Sequence, residues 1–126
     1  MKKRGEAKFL WFALQTMAFV DRARRGSGTL RQELKYAGSA VLFEYTVATK
    51  DSNGRVVRGV VRVHGAASPP HRRRQRWLHA YLKLCETLAD DIMIVALSQC
   101  PVREKLLKRG YVEVSKHSLM LDLRAA

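Results

Sequence analysis

The chain has 126 residues, the size of one domain, and an apolar fraction of 47% is enough for one ordinary core. It carries 24 Lys and Arg against 11 Asp and Glu, a net charge of +13. A field of that size points to an acidic partner, whether nucleic acid, an anionic membrane surface, an acidic protein or a phosphate-bearing cofactor. Cys85 and Cys100 stand in no CxxC or Cys/His cluster, which excludes a metal site of the usual spacing and points to a reduced, cytosolic setting.

The basic start, Met1-Lys2-Lys3-Arg4, followed by an apolar stretch over 9–20, has the outline of a signal peptide. However, Gln15 and Thr16 interrupt that stretch, and Asp21-Arg22-Ala23-Arg24-Arg25 stands where a cleavage site would fall. The expectation is an ordinary amphipathic helix in a protein that is not secreted. No stretch is long enough to span a membrane. Over 6–25, Phe9, Phe12, Ala13, Thr16, Phe19 and Val20 recur at three- and four-residue spacing, and Gly26-Ser27-Gly28 ends the helix. Thr29 is placed to cap a short second helix, with Gln32 and Glu33 in its first turn and Gly38 at its stop.

Residues 41–49 and 55–64 are rich in β-branched and aromatic types and predict a hairpin, with Asn53-Gly54 as the centre of a type I′ turn. A loop over 65–70, ending in Pro69-Pro70, leads to the clearest helix, 73–89, whose inner stripe reads as Trp77, Ala80, Tyr81, Leu84, Cys85 and Leu88. The unbroken apolar run within 91–97 predicts a central strand covered on both faces. Pro101 fits the first turn of a further helix with Val102, Leu106 and Leu107 inward and Gly110 at its exit. Residues 111–116 and 119–123 alternate as a closing hairpin turned near His117-Ser118. The order helix, helix, hairpin, helix, strand, helix, hairpin is that of an α/β fold, one domain over 1–126 with a mixed sheet and flanking helices.

Three local features carry a family resemblance. A basic loop, Pro70-His71-Arg72-Arg73-Arg74-Gln75-Arg76, precedes the long helix; Ser98-Gln99-Cys100-Pro101-Val102 follows the apolar strand; and Leu106-Leu107-Lys108-Arg109-Gly110-Tyr111 closes the next helix. In this order, mainly over 55–124, the chain resembles the second half of the GNAT N-acetyltransferases. There a phosphate loop of the form Arg/Gln-x-x-Gly-x-Gly/Ala, a long helix, a parallel strand, a short helix and a final hairpin follow one another. The resemblance implies a cofactor-binding role for Arg72, Arg73, Arg74, Gln75 and Arg76. More narrowly, the Lys/Arg-rich entry to the helix, the polar turn after the strand and the leucine ahead of Lys108-Arg109-Gly110 are similar to the small GNAT-like internal virion and tail-associated proteins of T7-like phages.

Departures accompany these matches. With Arg72 leading the loop motif, Gln75 and Trp77 occupy the two glycine positions, where glycine lets backbone N–H groups close on a pyrophosphate. Leu106 aligns with the family's general-acid Tyr and cannot donate a proton. Only two strands are expected before Pro69, with no first strand, so the chain reads as a shortened core. Glu44, His64 and His71 are the residues available to deprotonate an amine, each a lone polar group in sequence; no catalytic residue follows from the resemblance.

Three functions follow. The first is a degenerate GNAT-like module, cytoplasmic or virion-associated, that needs no cofactor and binds an acidic partner, either nucleic acid or an acidic protein surface. The second is an acetyl-CoA-dependent N-acyltransferase in which Arg72, Arg73, Arg74 and Arg76 hold phosphates as ion pairs. The third is a nucleic-acid-binding protein in which Trp77 or Tyr81 stacks on bases beside that cluster, although both fall on a stripe suited to core packing. Cys85 reads as core. Cys100 falls at a helix N-cap, where a thiol pKa is lowered, but has no base partner near it in sequence.

Overall fold

The computed structural model describes the backbone of residues 2–36, 39–67, 76–97 and 102–125, and the side chains of 8–36, 40–64, 77–97 and 102–124. Helix α1 (Lys2–Arg24) is followed by strands β1 (Thr29–Tyr36), β2 (Ser39–Lys50) and β3 (Val56–Ala67). Helix α2 (Arg76–Leu88), strand β4 (Ile92–Ala96), helix α3 (Arg103–Lys108), strands β5 (Val112–Ser115) and β6 (Ser118–Asp122) and a 3-10 turn (Leu123–Ala125) complete the order. The fold is α/β, with one mixed sheet in the order β1-β2-β3-β4-β6-β5 and a single parallel pair, β3 with β4.

Residues 29–36 form a strand, not the second helix expected from sequence. Leu30 and Leu34 are spaced as on a helix, but Leu30, Gln32, Leu34 and Tyr36 also alternate with Arg31, Glu33 and Lys35, and eight residues cannot separate the two periods. Pairing along the whole of β1, from Thr29 opposite Thr46 to Tyr36 opposite Ser39, decides it. Three strands therefore precede Pro69 where two were expected.

The turn between β2 and β3 also departs from expectation. Gly54 N–H donates to Asp51 O at 3.0 Å, which puts Ser52-Asn53 at the turn's centre and Gly54, at φ 78°, in the position after it. Asp51 Oδ1 accepts from the Asn53 and Arg55 N–H groups at 2.9 Å each and fixes the loop. This is the three-residue connection with a left-handed glycine rather than a two-residue type I′ turn. Its register sets Glu44 opposite Arg62 and Phe43 opposite Val63.

Alternation along the strands divides the sheet's two faces. Val41, Phe43, Tyr45, Val61, Val63, Met93, Val95 and Leu119 point to one side and pack with Phe12, Phe19, Val20 and Ala23 of α1, with Leu78, Tyr81, Leu82 and Cys85 of α2, and with Leu106 of α3. Each fully buried Val, Leu, Phe or Met among them contributes about 1.5–3 kcal/mol. On α2 the buried stripe is rotated from the expected one: Leu78 and Leu82 are buried and Ala80 is exposed. Trp77 is half-buried among Phe12, Tyr36 and Tyr81 in an aromatic cluster between α1, β1 and α2. The opposite face carries a smaller cluster of Val57, Val60, Ile92, Ile94 and Met120, which no helix residue among those described joins.

Polar ties lock the helices in place. Thr16 Oγ1 and Tyr81 Oη meet at 2.9 Å between α1 and α2. At the other end of α1, Arg24 donates to Leu88 O at 2.9 Å and to Tyr45 Oη at 3.2 Å, and Tyr45 donates to Asp90 Oδ2 at 3.2 Å. Glu86 of α2 accepts from Tyr111 Oη at 2.8 Å and from both Arg109 Nε and Nη2, which joins α2 to the exit of α3.

Candidate functional site

The face of the sheet away from the helices carries one ionised cluster across its first three strands. Arg31, Glu44 and Arg62 are direct neighbours in the β1, β2 and β3 ladders, and His64 lies one same-face step further along β3. Alternation requires this placement: with Phe43 and Tyr45 committed to the core, the intervening Glu44 must face the other way.

His64 Nε2 lies 2.9 Å from Glu44 Oε2, Arg62 Nη1 lies 3.6 Å from the same oxygen, and Arg31 Nε lies 3.4 Å from Oε1. The Glu44 side chain is 5% exposed beneath these three partners. Burial alone would raise its pKa, but the hydrogen bond with His64 and the charges of Arg62 and Arg31 outweigh that and hold the carboxyl below its ordinary range. A carboxylate only accepts, so His64 carries its proton on Nε2 and, when neutral, presents a lone pair at Nδ1. A half-buried imidazole oriented by a buried carboxylate is an arrangement that can take up a proton from a bound group.

Its place in the sheet suits a ligand. His64 pairs with Ala96 in the last rung of the parallel β3–β4 ladder, at the carboxyl end of β4. Ligands of α/β sheets gather at such ends. Residues 65–67 continue β3 toward the basic segment that precedes α2.

The residues singled out from sequence divide accordingly. Glu44 and His64 are brought into contact, whereas sequence separated them. His71, Arg72, Arg73, Arg74, Gln75 and Cys100 lie outside the described residues, and Arg76 opens α2 with its side chain outside them. Leu106 is fully buried. Trp77 and Tyr81 pack against other aromatic rings. Cys85 is buried beside Tyr81, and burial drives its thiol pKa up, so it is an inert core thiol. Among the described residues, no group of three or more His, Cys, Asp or Glu is placed to hold a metal ion.

Arg31 and Arg62, which complete the cluster, were missed by the sequence reading. The usable signal was the β2–β3 register, since any pairing that places Glu44 opposite Arg62 leaves His64 one same-face step away. Comparison with protein-family models, with curated proteins and with solved structures yields no match.

Proposed function

We propose that the chain is a GNAT-like module that acts by binding rather than by acetyl transfer, with an acidic partner, nucleic acid or an acidic protein surface, met through Arg72, Arg73, Arg74 and Arg76. A phage accessory or virion-associated role is what the narrower resemblance implies. The element order supports the fold reading: three antiparallel strands, a long helix, a parallel strand, a short helix and a closing hairpin follow the family's order. The third strand ahead of the basic segment brings the chain nearer to that order than its sequence suggested.

One observation carries the loss of chemistry. Leu106, at the position of the family's general-acid Tyr, is 0% exposed and belongs to the core. The neighbouring phenol, Tyr111, is itself buried and donates its hydroxyl to Glu86 at 2.8 Å. Neither side chain is free to reprotonate a departing thiolate.

The test pairs thermal melting in millimolar acetyl-CoA with thiol release in the presence of a panel of amines and, separately, binding to duplex DNA and to polyglutamate across a salt series. The reading expects no rise in melting temperature, no thiol release above the uncatalysed rate, and polyanion binding that weakens steeply with salt. Thiol release that depends on both the protein and an amine would overturn it.

The Glu44–His64 contact favours a second reading, an acyltransferase with an altered phosphate loop in which His64 Nδ1 deprotonates the acceptor amine. That reading requires acetyl-CoA to raise the melting temperature and H64Q to abolish turnover while leaving that rise intact.

A further inference from the structure

α1 is apolar on both of its sides. Its inner stripe, Phe12, Thr16, Phe19, Val20 and Ala23, is buried. Its outer side exposes Leu10 at 59%, Trp11 at 65%, Leu14 at 46% and Met17 at 40%. Leu10, Leu14 and Met17 follow one another at i, i+4 and i+7 with Trp11 alongside, so they form one arc rather than scattered positions. Four of the nine large apolar side chains exposed among the described residues fall within these eight positions. Lys8, Gln15, Asp21 and Arg22 are also exposed on α1, so the apolar part is a bounded arc with a polar rim, the form of a contact patch. Surface apolar residues scattered singly would need no such account.

The charges around the arc indicate what covers it. Lys8 precedes it and Arg25 follows it, both exposed, and Arg22, exposed as well, donates to Gln32 Oε1 at 2.8 Å. By sequence, Lys2, Lys3 and Arg4 occupy the helix's first turns, with Glu6 and Asp21 the acids between residues 2 and 25. Both ends of the arc are therefore cationic. A second copy packed antiparallel would set one basic end against the other, and a parallel copy would set like against like, so charge opposes self-association in either orientation. The inner half of the helix is committed to the sheet, so a partner meets only a convex half-cylinder. A flat, fluid, anionic surface meets such a half-cylinder without a groove. Apolar side chains then enter its boundary layer, the indole sits at the interface and flanking cations reach the headgroups. No helix among the described residues, α1 included, is long and apolar enough to cross a membrane.

We propose that α1 seats the protein on an anionic lipid surface, with Leu10, Trp11, Leu14 and Met17 in the acyl boundary and Lys8 and Arg25 on the phosphates. This inference rests on α1 alone and is independent of whether the Glu44–His64 face or the basic segment before α2 binds anything.

The full chain is mixed with vesicles of phosphatidylcholine alone and of phosphatidylcholine with phosphatidylglycerol, and both cosedimentation and tryptophan emission are followed. Trp11 and Trp77 are the two tryptophans, and Trp77 is already packed among aromatic rings, so a blue shift on binding reports Trp11. The expected result is cosedimentation with the anionic vesicles, weakened by salt, accompanied by a blue shift that W11F removes. The surface double variant L14Q/M17Q should weaken partition by about tenfold or more, whereas L30Q, at an exposed leucine on β1, should leave it unchanged.

Failure to bind anionic vesicles at low salt overturns the proposal. So does binding that L14Q/M17Q leaves intact, which would assign it to other basic residues. A blue shift that rises with protein concentration without lipid, together with a dimer mass, would assign the arc to a second copy. A shift produced by polyglutamate but not by vesicles would assign it to an acidic protein.

Discussion

Thr16 and Tyr81 lie 2.9 Å apart, hydroxyl to hydroxyl, at a point where neither side chain reaches solvent. Thr16 also donates back to Phe12 O at 3.1 Å, the carbonyl one turn earlier in its own helix. With the Thr16 proton used there, Tyr81 is the donor in the shared bond, so removing the Thr16 hydroxyl strands the phenol proton, whereas removing the phenol leaves Thr16 its bond to Phe12. Thr16→Val keeps the shape and leaves the phenol buried without this partner, and Tyr81→Phe removes the phenol. Each should cost about 1–3 kcal/mol in urea unfolding, and the double variant distinctly less than the sum of the two. Additive costs would show that the contact carries no energy of its own.

Gly59 is a second point of tight fit. It sits at φ +59°, and a Cβ built there would lie 2.2 Å from Asp90 Oδ2 and 2.6 Å from Asp90 Cβ. The approach is held by Asp90 N–H donating to Gly59 O at 2.8 Å and Asp91 N–H donating to Arg58 O at 3.0 Å. Gly59→Ala combines left-handed strain with displacement of Asp90 from Tyr45 and Arg24, and should destabilise by roughly 2–4 kcal/mol. Gly28→Ala, with φ +86° but nothing within 4 Å of the added atom, should cost only the conformational part, on the order of 1 kcal/mol. Equal losses in the two melts would mean the Asp90 contact is not limiting.

Glu44 makes a prediction about acid. Its carboxyl is held below its unfolded value of 4.5, so the native state binds the proton more weakly than the unfolded chain. The stabilisation is present in full above that value and is lost as pH falls through the native pKa. Unfolding free energies measured from pH 7 down to pH 3 should therefore fall more steeply for the native sequence than for Glu44→Gln. At pH 7 that variant should already be about 1–3 kcal/mol weaker, because Arg31, Arg62 and His64 lose the carboxylate. Parallel acid limbs in the two proteins would count against the cluster.

Alkali should act through the tyrosines. Burial is the first cause raising the pKa of Tyr45, Tyr81 and Tyr111 above 10, with the Glu86 carboxylate adding to it at Tyr111. The folded state holds these protons more tightly than the unfolded chain does. Their contribution is complete below pH 10 and falls away as pH climbs above it. Ultraviolet titration of phenolate should show at least these three rings ionising together with loss of the near-ultraviolet circular dichroism. A gradual rise that precedes unfolding would contradict their burial.

The β2–β3 turn shows how far this molecule could be read in advance and where reading stopped. The strands were legible because Val, Phe, Tyr and Ile concentrate in them, and β4 stood out as an uninterrupted apolar run. The turn's position was legible from Asn53-Gly54. Its type was not, because Asp51 decides it by accepting from Asn53 and Arg55, a local bond that no periodicity reports. A two-residue turn would have set Glu44 opposite Val63, and a slip of one residue sends every side chain of a strand to the other face. The carboxylate's partners were hidden behind that single choice. β1 failed for a different reason: eight residues with leucines four apart satisfy both periods, and only pairing with β2 settles which one holds.

The lone parallel pairing has a kinetic meaning. Two residues of sequence separate β1 from β2 and five separate β2 from β3, and β6 returns on β5 after Lys116-His117, so each of these ladders closes over a short stretch of chain. Val60 to His64 can meet Ile92 to Ala96 only after the chain through α2 has folded back, which carries the larger loop-closure entropy. Five rungs then hold the meander to the rest of the sheet. Amide protons across that seam should exchange as one cooperative group, distinct from those of the β2–β3 hairpin, and exchange of the two groups at one common rate would show that the seam opens only with the whole sheet.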